Sequence, residues 1–482
     1  MIKFIRSFPL FLTGILILFI QSCKIPELTQ KEIKQELPEN FISTQGNDVD
    51  TINSARIPWK EFFNDPYLTD LIDTALVNNK EINILLQRIS IAKNEIFARK
   101  GEYKPFINAG AGLELEKVGH YTRNGAVEEN LEIEEGKPFP ELLGNLDIGL
   151  FASWELDVWQ KLRNSSKVAV LEYMATLEGK NFMITNLVAE IAKSYYELLA
   201  LDNTLDNLKQ SIRIQENVLE VVKTLKDAGR TTSLAVKRFE AEVKKNQSEI
   251  YAIKQEIIVT ENTINFLLGR PAQNIPRNSD SFNSLMPKLV ENGIPSQLLE
   301  NRPDIRQAEL ELQAAELNIQ VAKANFYPSF DIRAGLGFEA FNPKFLLATP
   351  KSLAMSIAGD AVAPLVNRNA IISVYNNANA KQIQVAYEYE QTILNAFFET
   401  KNQISNINNL NENYALKTQQ VNSLSESIEI VNQLFRSARA DYMEVLLTQR
   451  EAMESKFELI ETKKEQLIAV VDLYKALGGG WQ

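Results

Sequence analysis

Proline is missing from two long stretches of this chain. All 17 prolines of its 482 residues fall at or before Pro140 or between Pro271 and Pro364, leaving 141–270 and 365–482 without one. A proline inside a helix costs ~3 kcal/mol, so its absence over such lengths permits very long helices. Periodicity makes the positive case. In the first stretch Ile191, Leu198, Leu205, Ile212 and Leu219 recur every seven residues, with Leu201, Leu208 and Val222 three positions further along. After a break at Ala228-Gly229-Arg230-Thr231, Val236, Val243, Ile250, Ile257 and Ile264 repeat the interval, accompanied by Phe239, Ile253 and Leu267. In the second stretch Ile393, Thr400, Ile407, Tyr414, Val421, Ile428 and Phe435 share one register, and Leu446, Met453, Ile460, Leu467 and Tyr474 another. Each stretch reads as a helical hairpin whose long arm reaches ~100 Å at the helical rise. A plain antiparallel coiled coil has the same pattern, but Gln215, Gln403 and Lys417 at seam positions suggest helices that are not sealed on every side.

Four other segments alternate with the period of a strand. After Pro105, Ile107, Ala109, Ala111, Leu113 and Leu115 oppose Asn108, Gly110, Gly112, Glu114 and Glu116. Leu146, Ile148, Leu150, Ala152, Trp154 and Leu156 oppose a polar face that only Phe151 interrupts. Phe330, Ile332, Ala334, Leu336 and Phe338, then Leu353, Met355 and Ile357, continue the pattern. Long strands, apolar on one face and polar on the other, suit a transmembrane β-barrel, although a soluble sandwich has the same period. Four strands cannot close a barrel, since ~8 is the smallest membrane barrel, so several chains must share one. The acidic linker Gly119 to Leu143 and the shorter one Asn342 to Lys351 would then be loops at the outer end.

The chain also repeats itself. Asn79-Lys80-Glu81-Ile82 precedes Pro105 as Arg302-Pro303-Asp304-Ile305 precedes Pro328, an offset of 223. Gly229, Val236 and Gly269 match Ala438, Val445 and Gly478 at an offset of 209. An open unit copied once suggests two quasi-equivalent halves side by side, as in a ring or barrel wall.

At the N-terminus Lys3 and Arg6 precede an apolar run from Leu10 to Ile20, too short for the ~20 residues of a membrane helix and suited to a signal peptide. The sole cysteine, Cys23, follows Ile20-Gln21-Ser22, where a bacterial lipoprotein signal places its acylated residue. Composition removes most other functions. A net charge of −11 offers no basic surface for a nucleic acid partner, and one Cys with one His excludes a Cys/His zinc site. Gly110-Ala111-Gly112 and Gly335-Leu336-Gly337 lack the Lys and Ser/Thr of a phosphate loop, and His120 stands alone in a loop. No clustered acid, base or nucleophile suggests an enzyme.

Several motifs in order carry a resemblance to a known family. They are Trp59 with Phe62 and Asp65, Trp154-Glu155-Leu156-Asp157-Val158-Trp159, Arg302-Pro303-Asp304-Ile305, Ala308-Glu309, Phe326-Tyr327-Pro328, and the terminal Tyr474 to Trp481. Through them the chain resembles the TolC-like outer-membrane factors, in the OprM/NodT-type efflux lipoprotein branch. The resemblance implies an α+β membrane protein, a homotrimer in which long helical hairpins build an α-barrel across the periplasm and four strands per chain make a twelve-stranded barrel. It implies location in the outer membrane, a lipid anchor on Cys23 as the only attached group, and a passive, gated role as exit duct for drugs or metal ions. Partners would be a periplasmic adaptor, an inner-membrane transporter of the resistance-nodulation-division type, and outer-membrane lipid. A duct for protein secretion, or a structural coiled-coil lipoprotein, would be the alternatives.

The expected division is a signal peptide at 1–22, a lipidated arm at 23–66, a first repeat over 67–270, a linker at 271–294 and a second repeat over 295–482. Helices are expected at about 67–103, 160–227, 232–269, 303–326, 367–437 and 441–478, and strands at about 105–117, 145–158, 329–341 and 352–365. Matched to the family, the gate at the second hairpin tip would comprise Phe435, Arg436, Arg439, Met443, Glu444 and Leu447. Glu444 would form a ring of three carboxylates, and Met443 would stand at an apolar constriction. Leu447, where relatives often carry Asp, and Ala235, in place of a common acid, would make the gate greasier and less cation-selective.

Overall fold

The structure is a computed structural model that describes residues 25–29, 31, 37–38, 40–41, 53–285, 290–437 and 439–482. The expected signal peptide and Cys23 lie outside the described residues. In chain order the main elements are α1 (Pro66–Asn78), α2 (Lys80–Glu102), β1 (Phe106–Glu116), β2 (Leu143–Glu155), α3 (Lys161–Asp227), α4 (Ser233–Leu267), α5 (Pro303–Ala324), β3 (Ser329–Ala340), β4 (Leu353–Val362), α6 (Asn369–Arg436) and α7 (Tyr442–Ala476). The chain divides into two compact units. Among the described residues no helix is long and apolar enough to cross a membrane.

The first unit, within 1–32, 91–173 and 310–386, holds a four-stranded antiparallel sheet in the order β1-β2-β3-β4. Gly110 pairs with Gly149, and Gly149 with Gly337. The Phe151 ring, which breaks the alternation of β2, lies on the glycine-rich face, where a Cβ on Gly110 or Gly335 would touch it at 3.2 or 3.4 Å. Glycines on two flanking strands make room for one aromatic. At the corner from β2 into α3, Trp154 Nε1 donates to the Tyr103 carbonyl at 3.1 Å and Trp159 Nε1 to that of Pro328 at 2.7 Å, with the Trp159 ring stacked on Tyr327. The Asp157 carboxylate accepts from the amides of Leu162 and Arg163, both at 2.9 Å, and caps the helix. The tryptophans are thus packing and hydrogen-bonding residues of a strand-to-helix corner. The acidic loop is more ordered than a plain linker: Thr122 caps a helix over Arg123–Asn130, and Glu132–Glu134 pairs with Lys137–Pro138.

The second unit, within 33–90, 174–309 and 387–482, holds the helical cores. Its main cluster gathers Trp59, Phe62, Leu68, Ile72, Tyr195, Leu198, Ile264, Leu467 and Tyr474. Tyr474 stacks on Phe62 at 3.8 Å and donates to the Ile57 carbonyl at 2.6 Å, while Tyr195 donates to the Asp65 carboxylate at 3.0 Å. Burial, together with the nearby Asp65 charge, pushes the Tyr195 phenol far above its usual pKa, so it remains a donor at all ordinary pH.

The single helix expected over 67–103 is two helices. Asn79 turns extended (φ −56°, ψ 131°) because its side chain caps α2, accepting from the amides of Glu81 and Ile82 at 2.9 and 3.0 Å. Its amide nitrogen also donates to the Leu267 carbonyl at 2.8 Å, at the end of α4. At Arg302, between a short helix Gln297–Asn301 and α5, Nη1 donates to the Ala476 carbonyl at 2.7 Å, at the end of α7. Positive-φ glycines, Gly269 and Gly478, complete the two joints, where an added Cβ would strike the carbonyls of Asn78 and Asn301.

The polar seam also differs from expectation. Gln215 is buried and accepts from Asn246 at 2.8 Å, and Lys417 pairs with Glu458 at 2.8 Å. Gln215 is thus satisfied within its hairpin, Lys417 makes a partly exposed ion pair, and the Oε1 of Gln403, the third of these residues, has no hydrogen-bond partner among the described residues.

Candidate functional site: the hairpin tips

Both tips are built alike from local chemistry. At the first, α3 ends in a left-handed Gly229 (φ 68°), the Arg230 amide returns to the Leu225 carbonyl at 2.8 Å, and Thr232 caps α4 through the Ala235 amide. At the second, the Arg439 amide returns to the Leu434 carbonyl at 2.8 Å, and the Asp441 carboxylate caps α7 through the Tyr442 amide. Corresponding residues differ in number by 209 throughout.

Four helix ends pack together behind these turns. Leu219 and Val222 of α3, Val236, Phe239 and Val243 of α4, Val431 of α6 and Val445 of α7 form one buried cluster. Of the six residues expected at the gate, Phe435 packs against this cluster and is half-buried. Met443 is also half-buried, and its sulfur accepts from Arg238 Nη1 at 2.8 Å. Arg436, Arg439, Glu444 and Leu447 are exposed, and among the described residues no ion pair joins either arginine to Glu444. Glu444 lies in the first turn of α7, where its charge complements the helix dipole.

Ala235 is fully buried under its cap. Its methyl packs in the tip cluster with Val236 and Phe239, so this position carries no exposed side chain in the single chain. Arg238 is the residue that sequence reading passed over. The available signal was the offset of 209, which makes Arg238 the counterpart of Leu447.

Between the tip cluster and the next apolar cluster, which holds Leu208, Ile212, Ile253 and Met453, the helices carry a polar layer. Gln215 and Asn246 pair within it, whereas Gln449, between Val445 and Met453 on α7, is buried with both amide atoms lacking a partner among the described residues. A buried polar group left unsatisfied costs ~1–3 kcal/mol. Gln449→Leu is therefore expected to raise the thermal midpoint of the purified protein, by roughly 3 °C. A lowered midpoint would show that the amide is satisfied there.

With this geometry in place, comparison with known proteins is direct. A family model for outer membrane efflux proteins matches residues 71–270 and 294–479. The pyoverdine export outer membrane protein OpmQ of Pseudomonas aeruginosa is 26% identical over 427 residues, covering 88% of this chain and 87% of the relative. The cation efflux system protein CusC of Escherichia coli is 27% identical, covering 92% and 93%. Among solved structures, CusC shares the fold at a TM-score of 0.80 and 23% identity, over 95% of this chain and 99% of that one. The open-state outer membrane channel MtrE of Neisseria gonorrhoeae matches at 0.81 and 21% identity, over 95% and 99%. The chain belongs to the outer membrane efflux protein family, as an export channel of the outer membrane.

Proposed function

We propose that three copies of this chain share one twelve-stranded barrel and one helical barrel, forming a gated duct that passively releases small toxic molecules. The observation that carries this reading is the sheet itself. Its apolar face is open, with Met355 and Ile357 about four-fifths exposed and Ile107, Leu113 and Leu150 exposed beside them. Within one chain β1 and β4 remain edges. Bilayer on the apolar face and neighbouring copies on both edges satisfy all of these groups at once.

The two tips, with their common offset, support a chain of two quasi-equivalent repeats over 67–270 and 295–482. In this reading residues 1–22 are removed on export, and an acylated Cys23 anchors the arm at 23–66. A periplasmic adaptor docks at the tips, and an inner-membrane transporter of the resistance-nodulation-division type drives transport, since the chain itself carries no phosphate-binding loop. Small cargo fits relatives that export pyoverdine and cations. Deleting the gene is expected to sensitise cells to toxic small molecules or metal ions. Unchanged sensitivity together with lost secretion of a protein would overturn the efflux reading.

Phe435, Arg436, Arg439, Met443, Glu444 and Leu447 form the gate in this reading. Three copies of the exposed Glu444 make an acidic ring that attracts cations. Glu444→Ala is expected to lower the cation-over-anion permeability ratio in planar bilayers by roughly twofold at low salt, where screening is weakest. An unchanged reversal potential would remove Glu444 from that role.

A further inference from the structure

We propose that Phe106 and Phe151 form an aromatic contact on the lumenal face of the barrel, and that this contact favours organic cations with an apolar body among the cargo. The proposal rests on the reading that the apolar face of the sheet meets the bilayer, which turns the opposite face to the lumen. Register assigns both rings to that opposite face. Phe106 stands opposite Ser153, and Phe151 stands between Asn108 on one side and Gly335 on the other. Both rings are about half exposed. The surroundings of Phe151 are built to hold a ring: its two edges face Gly110 and Gly335, where a Cβ would come within 3.2 and 3.4 Å. Its directly paired neighbours offer no apolar side chain to cover it. An eight-stranded barrel is just filled by its own side chains, so twelve strands leave open space in front of these rings.

Charge on the same face identifies the ligand. Toward the loops Asp147 stands opposite Glu339, and toward the helices Asp331 stands opposite both Glu155 and Asp360. Phe151 is four residues from Asp147 and four from Glu155, so it lies about 13 Å from each row at the rise of a strand. Arg333, the one base of this face among the described residues, pairs with Asp360 at 3.9 Å, and Lys161 pairs with Glu155. Asp331, between those two acids, has no ion pair among the described residues. Like charges directly opposite one another destabilise a sheet, so both rows gain from a cation nearby. A small hydrated cation meets only the carboxylates. An organic cation also meets the rings, whose faces attract positive charge and whose surface sheds water against an apolar body. An anion of the same shape is repelled by both rows, and a neutral solute gains only the ring contact.

The test records potassium currents through the full protein in planar bilayers and titrates two blockers: tetraphenylphosphonium, which has a large apolar body, and tetramethylammonium, which has almost none. Replacing Phe106→Leu and Phe151→Leu together keeps apolar bulk and both carboxylate rows but removes the rings. The half-blocking concentration of tetraphenylphosphonium is expected to rise roughly tenfold in the double variant, and that of tetramethylammonium to stay within about twofold. Phe151→Leu alone, for which roughly a threefold rise is expected, serves if the double variant does not assemble. Equal block by tetraphenylphosphonium in wild type and variants would overturn the aromatic contact while leaving the duct intact. An equal rise for both blockers, the mark of a changed pore shape, would also overturn it. A wild type that inserts but passes no current would overturn the duct reading and this contact with it.

Discussion

Arg302→Met should cost the protein ~3–5 kcal/mol, with a thermal midpoint lower by roughly 10 °C. Arg302 is buried, with Nε and Nη2 donating to Asp304 at 3.0 and 2.8 Å, and Nη1 to Glu399 at 2.8 Å and to the Ala476 carbonyl at 2.7 Å. Methionine fills much of the same volume but leaves two carboxylates without their cation and one carbonyl without that donor. The Thr400 hydroxyl lies 3.3 Å from that carbonyl but has the Ala396 carbonyl closer, at 2.9 Å, so its single proton is a poor substitute. Arg302→Lys should recover only part of the loss, because a point charge cannot reach both carboxylates and the carbonyl as a planar fork does. The counterpart Asn79→Ala removes a neutral cap and one hydrogen bond, so it should cost less, ~1–2 kcal/mol. The three midpoints, measured on detergent-purified protein, check this order. A wild-type midpoint for Arg302→Met would mean that the joint at the end of α7 carries no load.

The second large effect lies in the sheet. A Cβ on Gly337 would collide with the Ile148 carbonyl oxygen, and one on Gly149 would lie 2.7 Å from that of Leu336. The obstacle in both cases is the backbone of the paired strand, which cannot rotate away. Gly337→Ala should therefore force β2 and β3 apart and reduce the assembled membrane form by roughly tenfold or more. Gly359 is the internal control. A Cβ there would come no closer than 3.9 Å to the Asp331 carbonyl, so Gly359→Ala should assemble normally. Blotting unheated membrane samples for the assembled species distinguishes the two, and equal amounts would contradict the close approach of the strands.

Much of this architecture was legible because it is written in period and in omission. The proline-free stretches contain α3 and α4, then α6 and α7, and Ile191, Leu198, Ile264 and Leu467 of the heptads are buried. What escaped sequence reading depends on partners far away in the chain. The break at Asn79 is made by its local cap on Glu81 and Ile82 and tied down by a hydrogen bond to Leu267, 188 residues later, and only the second of these has no local signature. Phe151 looked misplaced because alternation along one strand cannot register the space left by Gly110 and Gly335 on its neighbours. Gln215 looked like an open face until Asn246 supplied its partner. At the tips the turn chemistry was readable from Gly229 and Asp441, whereas the contact of Arg238 with Met443 joins helices 205 residues apart and has no local signature.

The central claim, that several copies complete one barrel, is tested most directly by the native mass of the mature protein extracted from membranes in mild detergent and corrected for bound detergent. The account predicts a stable three-chain particle. A monomer, with the edges of β1 and β4 left unpaired, would contradict it.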